Sequence, residues 1–583
     1  MISKRTILLL MAVWVFASIY YQEHKKEQKL LATPTLNNVT LSTTNGTDPI
    51  RLDDKYSIEV VSKIYEGLYA YHYLKRPFQL VPNLAEEMPS VSPDGLVYTF
   101  KIKQGVLFQD DPCFPNGKGR TLKAADFVFS LKKLVDPKNT TVPYRAFIDG
   151  KIKGLDAWKQ QAQSDYTQEV EGLKALDDYT LQVTLTEPWP TFLNFLAMPV
   201  AFVVAKEAVM QYGDAFLNHP VGTGPFVLEG GFNPQAKQLT FLKNPSFRAK
   251  LFPSDGDAAY QSMIAAYGGK RLPLVDKVVT DIITEEQPLA LKLESKELDI
   301  SLITGSSIAL NMVENNALLP EWSKKGLVLV QAPSANVQFF AFNHSHELFK
   351  NTYLRQAMSM AFDRATYNQI FYKGNAQVAH SLVPPLLMGE GNALTSSYSY
   401  DLERAKTYLA KAGYPDGEGL PCITLDAIIG TSSKDKAEFF AKCMANIGIK
   451  IQVVTNVPAE HWIKIAKGST MMHLLGWQAD YPEPSAFLEM ISNKALCGLF
   501  YENAHFNALF HEAMTTLDGA KRQALYIELN KIVSEEVPMI YALHASEQYL
   551  HYNWIKNVAC NDFCPSLDQY IGVDMAAKVK ATK

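Results

Sequence analysis

One carboxylate stands out in the stretch LLGWQADYPEPSAFLEM, residues 474–490. The run begins apolar, like a strand, turns polar at Gln478, and sets Asp480 between the large rings of Trp477 and Tyr481. An acid so placed suits four kinds of chemistry. It could be a general acid or base, a metal ligand, a cap for the next short helix, or a receptor for a cation. Elsewhere the chain offers little reactive patterning. It has no HExxH pair, no GxSxG elbow, no Walker loop and no GxGxxG behind a strand. VGTGPF (221–226) reads as a tight turn into the strand FVLEG, with no phosphate cradle. The 12 histidines are scattered, and His344 and His346 in FNHSHE read as loop surface. Asp110–Asp111 and Glu285–Glu286 read as solvated loop charges.

The elements that must position Asp480 alternate between helix and strand. GLVYTFKIKQGVLF (95–108) predicts a strand pair broken at Gln104–Gly105. The helix after it, TLKAADFVFSLKKLVDP, puts Ala124, Phe127, Val128, Leu131, Leu134 and Val135 on one face and stops at Pro137. Alternating strands follow at 178–185, 276–284 and 336–343. Helices are expected at 351–362, at 363–374 with Asp363 as N-cap, at 401–413 with Asp401 as N-cap, and from Asp518 to Glu536 before Pro538. KAEFFAKCMANIG leads straight into the strand IKIQVVT (449–455). The fold class is therefore α/β with mixed sheets.

At 583 residues the chain exceeds one small core, and two to four units are expected. Hydrophobic content of 47%, charged content of 20% and a net charge of −4 describe a globular protein and argue against a nucleic-acid or anionic-lipid partner. Lys4 and Arg5 followed by an apolar run to Tyr21 resemble a signal peptide, with an uncleaved anchor as the alternative. Residues 22–47 read as a polar tether. Six cysteines in an exported chain permit disulfides, and Cys560 and Cys564 in CNDFC are either a local pair or buried thiols.

Eight segments, in order, carry a family resemblance: IYEGLY (64–69), PNLAEEMPSVSPDGLVYTFKIKQGVLFQD (82–110), LKAADFVFSLKKLVDP (122–137), VGTGPFVL with LKNPSF, FFAFN, LRQAMSMAFDR, AKTYLAKAGYPDG and GWQADYPEPSAFL. The chain resembles the family 5 extracellular solute-binding proteins of ABC importers, whose best-known members bind oligopeptides and dipeptides. The resemblance implies a two-lobed periplasmic binding protein of type II, with an extra domain in the first lobe and a hinge between lobes. It implies a discontinuous domain I (48–68, 196–332 and 545–583), the extra domain II (69–195) and a second lobe, domain III (333–544).

By the same resemblance Asp480 receives a peptide α-ammonium, while Gly476, Trp477 and Gln478 lie on the strand that pairs with ligand backbone. Asn336 and Gln338 on NVQFFAFN are expected liners, and Tyr144 completes the set. The implied protein is a monomer in the periplasm, tethered to the inner membrane if residues 1–21 stay uncleaved. It works with a membrane permease, needs no cofactor or metal, and is no enzyme. Departures from the peptide-receptor pattern bear on specificity. Leu474 stands where an arginine is usual, and Gln478 and Asn336 replace a cysteine pair. Segments 110–120 and 246–272 read as insertions. Open alternatives are another solute on the same fold (a nickel complex, a haem-like ligand, an opine or a sugar) and an exported hydrolase.

Overall fold

The computed structural model describes residues 33–582, apart from 53, 141, 162–163, 390, 393–396, 430–431 and 495. The expected targeting segment, residues 1–21, therefore lies outside the described residues. The end of the expected tether does not. Thr35–Thr40 is a strand that pairs in parallel with Lys277–Ile282, so the boundary at 47 is corrected. Leu36 is fully buried there, the Asn37 amide donates to Asp299 Oδ2 (2.7 Å), and Thr47 donates to the Leu217 carbonyl (2.9 Å). A polar composition hid a strand whose hydrogen bonds are satisfied by distant partners.

Four sheets dominate. The first has the order Thr35–Thr40, Lys277–Ile282, Gln238–Lys243, Phe226–Leu228. A second, three-stranded sheet sets Ser546–Tyr552 between Ile300–Leu302 and Leu327–Pro333. An antiparallel four-stranded sheet in segment 69–195 carries Val97–Lys101 and Thr180–Thr184 side by side, with the helix Ala124–Val135 packed on it. The expected second strand of that hairpin, after Gly105, is reduced to one bridge between Leu107 and Thr121. The fourth sheet is mixed and six-stranded: Gln377–Val378, Met539–His544, Asn336–Phe342, Met472–Gln478, Ile423–Ile428, Ile451–Asn456. Helices Thr352–Ala361, Leu402–Lys411 and Ser433–Ala445 supply its core, where Phe340 stacks on Phe440 at 4.2 Å.

Asp363, Asp401 and Asp518 cap their helices as their side chains predict, each accepting an amide hydrogen three residues on. The VGTGPF turn has a packing role. A Cβ at Gly222 would lie 2.0 Å from the Ile64 carbonyl oxygen, so only glycine lets these two backbones meet. All six cysteines are free. Cys560 points its thiol at the Val330 and Glu547 carbonyls, and Cys564 at that of Ser566, so the CNDFC pair stays unformed.

The chain crosses between the lobes through two adjacent strands. Leu327–Pro333 continues through Ser334 and Ala335 into Asn336–Phe342, and Met539–His544 continues through Ala545 into Ser546–Tyr552. The two passages are antiparallel neighbours on both sides, with Pro333 opposite Ser546 and Gln338 opposite Leu543. We call the part beyond these crossings, built on the six-stranded sheet, the second lobe, and the remainder the first lobe.

Candidate functional site

Between the lobes lies a cavity of about 610 Å³, within the range usual for small-ligand sites. Both lobes line it. The second lobe contributes Gly476–Asp480, Glu489 and the half-exposed Trp462, and the first lobe contributes Tyr144, Phe147 and a group of charged residues around Lys55.

Asp480 follows the last residue of the strand Met472–Gln478. Its Oδ1 accepts a hydrogen bond from the Tyr144 hydroxyl (3.0 Å), which reaches it from the first lobe. Burial pushes the Asp480 carboxyl up to about 7; the tyrosine bond opposes that shift and Glu489 adds to it. Burial likewise holds Glu489 above the usual carboxylate range. One of the four chemistries open to Asp480 falls away. The helix Ser485–Ser492 begins at Pro484 without any side-chain cap, so Asp480 is not its cap. Among the described residues no group of three or more His, Cys, Asp or Glu side chains is arranged to hold a metal. An acid held away from water with one neutral donor suits a cation.

The strand before it presents a free edge. On one side Met472–Gln478 pairs with Asn336–Phe342 along its whole length. On the other, Ile423–Ile428 reaches only Met472 and His473. Among the described residues, no strand pairs with the outer edge from Leu475 to Gln478. Trp477 is fixed by its indole N–H, which donates to the Ala486 carbonyl (2.9 Å). A Cβ at Gly476 would meet nothing closer than 3.8 Å, so protein packing does not demand glycine there. Tyr481, the other ring flanking Asp480, is a core residue bonded to Ser485 (3.2 Å).

The structure brings Tyr144, Gly476, Trp477, Gln478 and Asp480 together on the cavity and leaves Asn336 and Gln338 off its wall. Asn336 sits opposite Gln478 in the ladder, in the same sheet and not across a cleft from it. Both ends of its amide are engaged: Nδ2 donates to the Ala545 carbonyl (3.0 Å) and Oδ1 accepts from the Ala545 N–H (2.8 Å). It is a clasp between the two crossing strands. Gln338 Oε1 accepts from the buried Tyr367 hydroxyl (3.3 Å). Both expectations as liners are corrected on these contacts.

Sequence reasoning missed the first-lobe wall. Lys55 Nζ lies 3.3 Å from Glu547 Oε1. Burial opposes its charge, but Glu547 and Asp562 outweigh it and hold the ammonium above the usual lysine range. Asp562 accepts from the Ser334 hydroxyl (2.8 Å) and the Ala335 N–H (2.6 Å), which ties the cavity wall to a lobe crossing. Burial and then Glu547 push its carboxyl up to about 6. The only available signal was CNDFC, where the cysteines drew notice and the acid between them did not.

Comparison with known proteins matches residues 79–495 to the family described as bacterial extracellular solute-binding proteins, family 5 Middle. Heme-binding protein A of Haemophilus influenzae is 28% identical over 500 residues, covering 83% of this chain and 82% of that protein. The glutathione-binding protein GsiB of Salmonella typhi is 26% identical over 508 residues, 85% of each chain. Among solved structures, the periplasmic binding protein DppA of Helicobacter pylori in complex with the peptide STSA superposes with a TM-score of 0.71 at 25% identity, over 94% of this chain and 99% of that one. A dipeptide-binding protein of Pseudoalteromonas shares the fold, with a TM-score of 0.71 at 20% identity, over 93% of this chain and all of that one.

Proposed function

Because this chain belongs to the bacterial extracellular solute-binding proteins of family 5, we propose that it is a receptor for peptides with a free α-amino group, which it delivers to the permease of an ABC importer. The observation that carries the reading is Asp480: a carboxylate in the interlobe cavity, at the end of a strand whose outer edge pairs with no other strand. A peptide laid along Leu475–Gln478 would add a strand there by main-chain hydrogen bonds, which recognise a peptide whatever its sequence. Its ammonium would meet Asp480, lower the carboxyl back into its ionised range and form a charge-assisted pair out of water. Gly476 leaves room for the ligand backbone to approach.

The related proteins named for haem and glutathione mark the competing ligands. Both ligands carry carboxylates, and the cavity wall is already rich in acids, so a net-negative ligand would be repelled. Neutral sugars leave Asp480 without a cationic partner. The reading includes no catalytic step: ligand is returned intact. It also treats the protein as a periplasmic monomer whose lobes close on the ligand.

Calorimetry with tetra-alanine and its N-acetylated form tests this. We expect the free peptide to bind and the acetylated one to bind at least a hundredfold more weakly, with Asp480→Asn abolishing most of that difference. Equal binding of the two forms to the native protein overturns the reading. So does cleavage of the peptide during the experiment.

A further inference from the structure

The first-lobe wall of the cavity holds more negative charge than one amine anchor on the opposite wall requires. Glu59, Glu547, Asp562 and Asp568 all line it. Against these four carboxylates stand two ammonium groups. Lys63, wholly buried, lies 2.9 Å from Asp568 Oδ2 and 3.2 Å from Glu59 Oε1. Lys55 takes Glu547 Oε1, which also accepts from the Tyr549 hydroxyl (3.4 Å). The other oxygen, Glu547 Oε2, is buried without any hydrogen-bond partner, on a residue only 4% exposed. Such an oxygen costs free energy until a donor reaches it. The carboxyls of Glu59 and Asp562 are both held above their usual range, burial being the larger cause, as expected where like charges are crowded out of water.

The missing donor is constrained by its surroundings. Among the described residues the acids do not group as metal ligands. A ligand carboxylate on Lys55 would lie beside Glu547 and Asp562 and compete with the existing ion pair. The rings of Tyr71, Tyr549 and Phe563 border the same wall, and ring faces favour an ammonium or guanidinium.

We propose that this wall is a second cation subsite, in which Glu547 and Asp562 receive the side chain of a lysine or arginine in a peptide whose α-ammonium is held by Asp480. The proposal rests on the peptide-receptor reading and names its substrate class: peptides carrying a basic residue beyond the first. Binding brings the wall from an excess of two negative charges to an excess of one. Asp562 also holds Ala335 and Ser334, so the cation's partner is joined to a lobe crossing.

The test uses tetra-alanine peptides with lysine at the second, third or fourth position, each paired with its norleucine counterpart, which keeps the stem and removes the charge. Calorimetry on the whole protein should show lysine favoured about tenfold or more at one position. Glu547→Gln should bring that lysine/norleucine ratio towards one. Lys55→Met, which removes the resident competitor for Glu547, should widen it. Opposite shifts in two variants cannot both come from misfolding. If the glutamine variant fails to fold, Lys55→Met alone still decides, since an unchanged or narrowed ratio overturns the proposal. Equal binding of every lysine and norleucine pair overturns it while leaving the peptide-receptor reading standing. A lysine preference that survives Glu547→Gln overturns it too. Failure of all the peptides, tetra-alanine included, overturns both.

Discussion

Two sets of carboxylates in this molecule, all wholly or partly buried, differ in what surrounds them. Asp299 is wholly buried and saturated: it accepts from Lys578 Nζ (2.5 Å), the Trp554 indole N–H (2.7 Å) and the Asn37 amide (2.7 Å). Both oxygens of Asp48 accept from buried Lys133, at 2.7 and 2.6 Å, and Oδ1 also accepts from the Ile50 N–H (3.4 Å). In the cavity, Asp480 has a neutral tyrosine, and Glu547 keeps one oxygen with no partner. The first set is paired by the fold and holds distant segments together. The second set is short of positive charge in a place where a ligand can supply it. Saturation, more than burial, separates an acid that builds the protein from one that waits for something to bind.

That contrast can be broken by experiment, beginning with the segments that Asp299 ties together. Removing residues 1–47 deletes the strand Thr35–Thr40 and one donor to Asp299, so the cooperative unfolding transition should be lost or moved far down in temperature. Removing only residues 1–32 should leave the transition in place, and equal melting of the two truncations would refute the structural role of that strand. Next in size, Asp299→Ala strands Lys578 and Trp554 and should cost about 3–5 kcal/mol in denaturant unfolding. Asp480→Asn should cost nothing comparable without ligand, because no cation is abandoned.

A smaller effect lies in the pH dependence. Folding raises the Asp480 carboxyl from 3.8 to about 7, so the folded state keeps a proton that the unfolded chain gives up. This contribution to stability is fully present below about 4 and is lost as pH rises through about 7. Ligand-free native protein should therefore lose stability relative to Asp480→Asn between about pH 4 and 7, and saturating peptide should shrink that gap. A gap that is flat with pH would remove the uncompensated-acid description. The smallest effect concerns the clasp. Asn336→Ala removes two hydrogen bonds to Ala545 and should cost about 1–2 kcal/mol, while small-angle scattering shows a broader spread of lobe arrangements. Unaltered stability and scattering would leave the clasp without a mechanical role.

Much of this was legible in the residues. Helix caps at Asp363, Asp401 and Asp518 and the strands at 180–184, 277–282 and 336–342 follow from local periodicity and side-chain chemistry. Asp480 was legible because its strand, its aromatic neighbours and its turn are contiguous in the chain. Asn336 was misjudged because its partner, Ala545, is 209 residues away, and a polar side chain at a strand end looks the same whether it meets a ligand or a neighbouring backbone. Glu547 and Asp562 were invisible for the same reason. In SEQYLHY, Glu547 reads as an ordinary strand acid, and only the return of the chain across the lobes puts it beside Lys55.

The paired crossings have a further consequence. Sliding one lobe past the other would pull Pro333 out of register with Ser546 and Gln338 out of register with Leu543, while flexing the ribbon disturbs neither pair. The molecule is thus geared to a single angular coordinate. On the proposed reading, a membrane partner that touched both lobes would sense any cargo as a change of angle.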